Sequence, residues 1–182
     1  MKIIGFIYNN ERLPVNGERL WEMVLKGDSC LLNGRKPMFI PDWTKELGVT
    51  ECIILRVSRL GKEIAAKFAN RYYDAVAPGE DFIAMDLARE ARQAGTPWTK
   101  ALVFDYSLAI GEWMEIDENQ KSKVESYLLT PEEAIAEASK VMTIRQGDLI
   151  YIQKRCAPRP VQREEVLRVE IDGAEKLYCK IK

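Results

Sequence analysis

Two stretches of the sequence carry side chains that could hold a metal ion or move a proton. In segment 49–57, Thr50 and Cys52 alternate with Glu51 and Ile53, and segment 79–86 carries Asp81. A strand sends alternate side chains to opposite faces, so Thr50 and Cys52 share one face and Glu51 lies on the other. Hard cations such as Mg2+ prefer several oxygen ligands. Whether a metal can bind therefore depends on which face of segment 49–57 lies beside Asp81.

The sequence contains no histidine. This excludes Ser-His-Asp and Cys-His nucleophile systems, His-ligated zinc and any imidazole acid or base. The four cysteines, Cys30, Cys52, Cys156 and Cys179, show no C-x-x-C spacing, and no long apolar signal region follows Met1. We interpret the chain as a cytoplasmic protein with reduced thiols.

Length and composition favour one globular domain over residues 1–182. The chain is 47% apolar and 30% charged, as in ordinary folded proteins. Its net charge of -1 gives no general attraction for nucleic acid. No apolar run approaches the roughly 20 residues that a membrane span requires.

The pattern of apolar and turn residues predicts a strand-rich α+β domain with about three peripheral helices. Strands are expected at 2–8, 148–152, 166–171 and 176–181, with hairpins about Asn33-Gly34 and Asp172-Gly173. Helices are expected over 64–72, from just after Asp81 to Gly95, and after the capping sequence 130–133. Segment 22–26 fits either a helix end or a strand. Segment 14–17 predicts a turn, and the polar segment 117–126 predicts a mobile loop.

Several motifs, in order and at compatible spacing, resemble the fumarylacetoacetate hydrolase family, in particular its small bacterial members. Segment 24–28 is similar to the family's early strand ending in Leu-Lys-Pro, and 81–87 to its Asp-x-Thr-Ala-Arg-Asp-Leu. Segment 104–111 is similar to its Phe-Asp-x-x-x-Pro-Ile-Gly, and 143–150 to its Thr-Leu-x-x-Gly-Asp-x-Ile. The resemblance covers nearly the whole chain. It implies a β-roll of mixed sheets, a homodimer, and an ancestral metal-dependent cleavage of C-C bonds in acylpyruvates.

The chain departs from the family pattern at the metal ligands. Counted back from Leu60-Gly61-Lys62, the two ligand Glu positions fall on Thr50 and Cys52, while Asp81 stands at the third. A hydroxyl and a thiol in place of two carboxylates remove most of the affinity for a hard cation, so no cofactor is expected. A shift of the strand register by one residue would bring Glu51 to the metal face, but it would also turn every other side chain of the strand to the opposite face. Mg, Mn or Ca would then be the expected ions.

The positions that carry the family's catalysis also differ. Its Lys before Phe-Asp corresponds to Leu102, its Arg in Ala-Arg-Asp to Met85, and its Gly-Thr-Pro loop to 153–155. Segment 8–13 stands where relatives carry a His and Glu dyad, and it lacks the His. Without the Lewis acid and the base, we expect the inherited hydrolysis to be lost or very slow.

These observations leave two function classes open. The first is an eroded pseudoenzyme that binds a small carboxylate or 2-oxo acid; the second is an active hydrolase or decarboxylase of 2-oxo acids, with Cys52 or Cys156 as a candidate nucleophile. The expected pocket residues are Lys26, Cys52, Asp81, Asp105, Lys154 and Arg155. One hypothesis is that Lys154 or Arg155 supplies the lost positive charge beside Asp81. The ordinary alternatives are a helix-capping Asp81, a merely buried Cys52 and a solvated basic loop.

Overall fold

The computed structural model describes residues 1–8, 21–115 and 126–182. Its strands are β1 (Lys2–Tyr8), β2 (Trp21–Gly27), β3 (Leu31–Asn33), β4 (Leu47–Val57), β5 (Tyr73–Ala84), β6 (Leu108–Ile110), β7 (Leu149–Gln153), β8 (Arg159–Pro160), β9 (Val166–Ile171) and β10 (Ala174–Lys180). Its helices are α1 (Met85–Ala94), α2 (Thr99–Leu102) and α3 (Pro131–Val141), with short 3-10 helices at Asp28–Cys30 and Ala66–Arg71.

Eight strands form one mixed sheet. The order is β2-β1-β7-β4-β5-β6-β3, and β8 pairs with one end of β4. The β1–β7 and β3–β6 pairs are parallel, whereas β4 is antiparallel to both β5 and β7. The long β4 and β5 strands therefore form the middle of the sheet, with the β9–β10 hairpin as a separate two-stranded ribbon.

The main sheet buries apolar residues on both faces. One face packs Ile3, Cys52, Ile54 and Tyr151 with residues of α1 and α2. The other packs Ile4, Phe6, Leu55 and Ile150 with residues of α3. Alternate residues of β1 and β4 thus enter different cores, which explains why both strands read as nearly continuous apolar runs.

The α+β class is confirmed, and so are most of the predicted elements. β1 has the predicted bounds, and the 22–26 segment is a strand. Thr130 caps α3 through a capping box with Glu133. α1 ends at the left-handed Gly95 as predicted, but it begins at Met85, because the preceding residues continue β5 as far as Ala84.

Two predicted elements are wrong. The turn at Asn33-Gly34 does not make a hairpin, since β3 pairs with β6 and the following Met38 and Ile40 pair with C-terminal residues. The helix expected over 64–72 is a 3-10 helix over Ala66–Arg71, and Phe68 is 45% exposed. The predicted turn at 14–17 and most of the predicted loop at 117–126 lie outside the described residues. Within the described ranges, no helix is long and apolar enough to cross a membrane.

Candidate functional site

The registers of three strand pairs bring polar side chains from distant segments to one face of the sheet. In the β4–β5 pair, Thr50 stands opposite Asp81, and in the β4–β7 pair Cys52 stands opposite Gln153. Lys26 on β2 stands opposite Ile3 of β1, which faces the same core. Thr50 and Cys52 are each 2% exposed, while Glu51 is exposed on the other face. This is the orientation expected from strand parity.

A buried ion pair lies at the centre of this face. Lys26 Nζ donates to Asp81 Oδ1 at 2.6 Å, and both residues are only 1% exposed. Lys26 Nζ also donates to the carbonyl oxygen and to Oγ of Ser107, at 3.0 Å each. Gln153 Nε2 donates to Asp81 Oδ2 at 2.7 Å. Each Asp81 oxygen therefore already accepts a hydrogen bond from a buried side chain.

Neighbouring elements hold these two donors in place. Gln153 Oε1 accepts the Tyr8 N–H at 2.8 Å, which fixes which end of the amide faces Asp81. The Ser107 carbonyl also accepts the Phe82 N–H, so the turn that carries Ser107 is tied to β5. The site is a connected polar network inside an apolar core, an arrangement that rigidifies a structure when its members are satisfied.

Tyr151 closes the site on the β1 side. Its ring lies over Gly5, where an added Cβ would come within 2.1 to 2.4 Å of ring atoms and the hydroxyl. The absence of a side chain at Gly5 thus makes room for the ring. Lys26 Nζ lies 5.7 Å from the ring centroid, within range of a cation–π contact.

Two hydroxyl groups on this face are buried without partners. Thr50 Oγ1 and Tyr151 Oη form no hydrogen bond within the described part of the chain. Burial and the nearby Asp81 carboxylate raise the pKa of Tyr151, so its hydroxyl keeps its proton. Buried hydroxyls usually find a partner. Tyr151 Oη already lies against the Asp81 carboxylate, so Thr50 Oγ1 is the candidate contact for a bound molecule.

Neither Cys52 nor Cys156 has an activated thiol. Burial, followed by the charges of Asp81 and Glu80, raises the pKa of Cys52 well above its usual range. The pKa of the exposed Cys156 is raised as well, chiefly by desolvation. Since the thiolate is the nucleophile, neither environment favours the Cys52 or Cys156 nucleophile considered in the sequence analysis.

A pocket of about 210 Å3 opens beside this network. Thr50 and Gln153 contribute to its lining, together with Arg89 and Arg92 of α1 and the ring of Trp98. Thr50 Oγ1 is buried at the inner end, whereas Arg89 lies exposed at the outer end. The pocket is smaller than a typical drug-sized site, so it suits a small molecule.

The other predicted pocket residues lie elsewhere. Lys154 forms an ion pair with Glu51 on the opposite face, because it follows the inward-facing Gln153 and strand residues alternate. Arg155 and Asp105 are exposed. The cation beside Asp81 is therefore Lys26, and the hypothesis that Lys154 or Arg155 takes that place is wrong.

The opposite face carries its own acidic pair. Glu51 and Glu80 stand directly opposite each other in the β4–β5 register. Burial and then the Glu51 charge raise the pKa of Glu80 to about 8, although Arg159 and Lys154 act in the other direction. Both acids lie on the face of the sheet opposite to Asp81, so Glu51 could reach the ion pair only if β4 were inverted, and Glu80 points away from its neighbour Asp81 on β5.

Comparisons with known proteins agree with the architecture. No family model matches the sequence. The mitochondrial oxaloacetate tautomerase FAHD1 of Mus musculus is 22% identical over 177 residues, covering 88% of this chain and 80% of that protein. A Yersinia pestis CO92 protein assigned to the fumarylacetoacetate hydrolase family matches the structure with a TM-score of 0.82 at 17% identity, over 100% of this chain and 92% of that one.

The chain has the fumarylacetoacetate hydrolase fold. The resemblance predicted from the sequence is confirmed by the FAHD1 relative in sequence and by the Yersinia pestis neighbour in fold. A further fumarylacetoacetate hydrolase-like neighbour is the fumarylpyruvate hydrolase from Pseudomonas aeruginosa in complex with Mn2+ and pyruvate, with a TM-score of 0.74 and 18% identity over 99% of this chain and 88% of that one.

The residues at the family's metal position do not fit a divalent cation. Thr50 offers a neutral hydroxyl, Cys52 a protonated thiol, and both Asp81 oxygens are already engaged. The Lys26–Asp81 pair has no net charge, so a divalent ion would add two uncompensated positive charges to a buried site. In the described ranges, no group of three or more His, Cys, Asp or Glu residues is arranged to hold a metal.

The sequence analysis missed five residues that shape this site, and one of them is Tyr151, which closes it on the β1 side. Gln153 donates a hydrogen bond to Asp81, and Ser107 accepts one from Lys26. Arg89 and Arg92 line the pocket. Gln153 carried a usable signal, because it is the one polar side chain besides Tyr151 in the apolar strand 149–153. The arginines follow Met85 at helical spacing, i+4 and i+7, so they share its face of α1.

Proposed function

We propose that this protein is a catalytically eroded member of the fumarylacetoacetate hydrolase family that binds a small carboxylate without a resident divalent cation. One observation carries the proposal: the Asp81 carboxylate is neutralised by Lys26 and further bonded to Gln153, beside a neutral Thr50 and Cys52. A hydrolase that relies on a Lewis acid needs an ion with open coordination positions at the reacting carbonyl. Among the three residues at this position, only Asp81 has a carboxylate, and both of its oxygens already accept hydrogen bonds from the protein.

The ligand class is inferred from charge and from relatives. The open pocket presents two arginines, which suit planar anions such as carboxylates. The FAHD1 relative is named for oxaloacetate, and the Pseudomonas neighbour was solved with pyruvate. Both names point to 2-oxo acids as the first compounds to test.

The test combines metal analysis with ligand screening. Purified protein is incubated with excess MnCl2 or MgCl2, desalted, and its metal content measured by plasma mass spectrometry. We expect far less than one ion per chain. A thermal-shift series of pyruvate, oxaloacetate and longer 2-oxo acids, with EDTA or Mg2+, should show stabilisation that does not depend on the metal. A stoichiometric ion would overturn the metal-free site.

The alternative is an active hydrolase or decarboxylase of acylpyruvate or other 2-oxo acids, favoured by the names of the relatives. It predicts turnover of oxaloacetate or an acylpyruvate that rises with Mg2+ or Mn2+. The variant Thr50→Glu with Cys52→Glu is a useful comparison, because it returns two carboxylates to the inward face of β4. Divalent-dependent turnover in the unaltered protein would favour the enzyme. The family's homodimer is part of the same proposal and is tested by light scattering.

A further inference from the structure

Segment 56–71 is basic, although the chain as a whole is slightly acidic. The segment holds five Lys or Arg residues and one Glu, a net charge of +4, whereas the whole chain carries -1, so the rest of the chain carries -5. All five cations are exposed. A local concentration of one sign of charge creates a surface potential that the net charge of the chain does not reveal.

The fold brings the two halves of this segment together on the surface. The Ser58 N–H donates to the Tyr72 carbonyl oxygen at 2.9 Å. Gly61 lies against the Tyr72 ring, since a Cβ added at Gly61 would come within 2.6 Å of a ring atom. The turn at 58–61 and the 3-10 helix Ala66–Arg71 therefore lie side by side. Their exposed side chains form a basic patch, which consists of Arg59, Leu60, Lys62, Lys67, Phe68 and Arg71.

Acidic side chains do not neutralise the cations of the basic patch. Arg56, just outside it, pairs with Asp74. In the parts of the chain that the structure describes, no carboxylate lies within ion-pair distance of Arg59, Lys67 or Arg71. Lys62 Nζ donates to a backbone carbonyl oxygen at 3.0 Å, which leaves its charge uncompensated. The positive charge of the patch is therefore available to a partner.

Two large apolar side chains project from the same surface. Leu60 is 70% exposed, the largest exposed fraction among the large apolar residues that the structure describes, and Phe68 is 45% exposed. Lys67 Nζ and Arg71 Cζ lie 5.0 and 5.4 Å from the centroid of the Phe68 ring. Apolar and cationic groups thus form one contact surface.

This combination distinguishes between three kinds of partner. A two-fold interface with a second copy of this chain would bring like charges together. A nucleic acid would use the cations and the Phe68 ring, but Leu60 offers it neither a hydrogen bond nor a ring face. A surface of anionic lipid uses every member of the patch, because its phosphates attract Lys and Arg while Leu and Phe enter the acyl boundary.

We propose that the basic patch binds peripherally to a membrane surface rich in anionic phospholipid. Its four cations contact headgroup phosphates, and Leu60 and Phe68 enter the layer between headgroups and acyl chains. The neighbouring residues Ile64, Ala69 and Tyr72 belong to the core that packs α3, whereas the pocket beside α1 opens on the other face of the sheet. The membrane contact is therefore separate from the proposed carboxylate site.

The experiment is sedimentation of the full chain with vesicles of phosphatidylglycerol and phosphatidylcholine in equal parts, or of phosphatidylcholine alone. In 0.1 M NaCl we expect at least tenfold stronger binding to the anionic vesicles. In 1 M NaCl the screening length falls to about 3 Å, and most of that binding should be lost. Each basic side chain at a lipid surface is worth about fivefold, so Lys67→Gln with Arg71→Gln should weaken binding about twentyfold.

Matched variants separate the patch from general charge and hydrophobicity. Lys36→Gln with Arg163→Gln removes two exposed cations elsewhere and should bind nearly as the unaltered protein does. Leu60→Ser should weaken binding severalfold, whereas Phe39→Ser, at a residue 65% exposed outside the patch, should not. Circular dichroism of each variant shows that a lost signal does not come from unfolding.

Four results would overturn the inference. They are equal binding to neutral vesicles, no vesicle binding at all, unchanged binding in Lys67→Gln with Arg71→Gln, and equal losses in the two pairs of matched variants. Binding of a single-stranded oligonucleotide without vesicle binding would assign the patch to nucleic acid. A dimer that dissociates in Leu60→Ser, measured by light scattering, would assign it to contacts between copies of the chain. None of these results bears on carboxylate binding.

Discussion

Removing either member of the Lys26–Asp81 pair should strongly destabilise the fold. Asp81→Asn leaves the buried Lys26 ammonium with neutral oxygen partners and no counter-charge, and Lys26→Met leaves the Asp81 carboxylate with the neutral Gln153. Breaking a buried pair by removing one partner costs about 3 to 5 kcal/mol. For a chain of this size, that corresponds to a drop in Tm of roughly 6 to 20 °C.

The double variant provides the sharper measurement. Lys26→Met with Asp81→Asn removes both charges, so no uncompensated charge stays buried, and that charge is the main cost of each single change. We therefore expect the double variant to be more stable than either single variant, with a coupling free energy of about 2 kcal/mol or more from urea unfolding. Asp74→Asn is the matched control, because it breaks the exposed Arg56–Asp74 pair and should cost less than about 1 kcal/mol.

Refutation is direct. If Asp81→Asn unfolds at the same urea concentration as the unaltered protein in EDTA, the ion pair does not hold the site together. If Mg2+ stabilises the unaltered protein and that effect disappears in Asp81→Asn, Asp81 binds the ion and the reasoning about its neutralisation fails.

Three further predictions follow from single residues. Thr50→Val should raise the free energy of unfolding of the ligand-free protein by about 1 kcal/mol, because it removes a buried hydroxyl without a partner; urea unfolding measures this. Cys52 should resist alkylation by iodoacetamide at pH 8 in the native protein, while the exposed Cys156 is modified slowly; peptide mass spectrometry identifies the sites. Asp148→Asn should lower stability at pH 7 and flatten its acid dependence. Burial opposes ionisation there, but hydrogen bonds from Lys2 and a backbone amide hold the pKa of Asp148 below its usual range. The stabilisation is thus present above about pH 4 and is lost as pH falls through the lower folded-state pKa.

Each of these has a result that would contradict it. A loss of stability in ligand-free Thr50→Val would mean that the hydroxyl has a partner in solution. Rapid alkylation of Cys52 would show a thiolate that the buried site should not support. An Asp148→Asn protein with the same acid midpoint as the unaltered chain would remove Asp148 from the pH response.

Local sequence signals predicted the elements whose stabilising contacts are local. The capping box at Thr130 satisfies helix donors within four residues, and Gly95 ends α1 by adopting a left-handed conformation at its own position. The hairpin predicted at Asn33-Gly34 does not form, because the backbones of Met38 and Ile40 hydrogen-bond to residues at the C-terminal end of the chain. No turn residue carries information about such a distant pairing.

The candidate site could be predicted only in part for the same reason. Strand parity was enough to place Thr50 and Cys52 inward and Glu51 outward. The pairing of Lys26 with Asp81 depends on the order β2-β1-β7-β4-β5, which local periodicity does not specify. Parity applied to β7 would have turned Gln153 inward and Lys154 outward, and so corrected the choice of cation.

The buried network also constrains how the chain can be made. Lys26 must find acceptors that lie 55 and 81 positions later, and Asp81 a donor 72 positions beyond itself. While the chain is emerging from the ribosome, the ammonium of Lys26 has no finished interior to enter, and β1 still lacks its parallel neighbour β7. The central sheet can close only after Gln153 has been synthesised, so a product released before that point would expose a half-built apolar surface and be prone to aggregate.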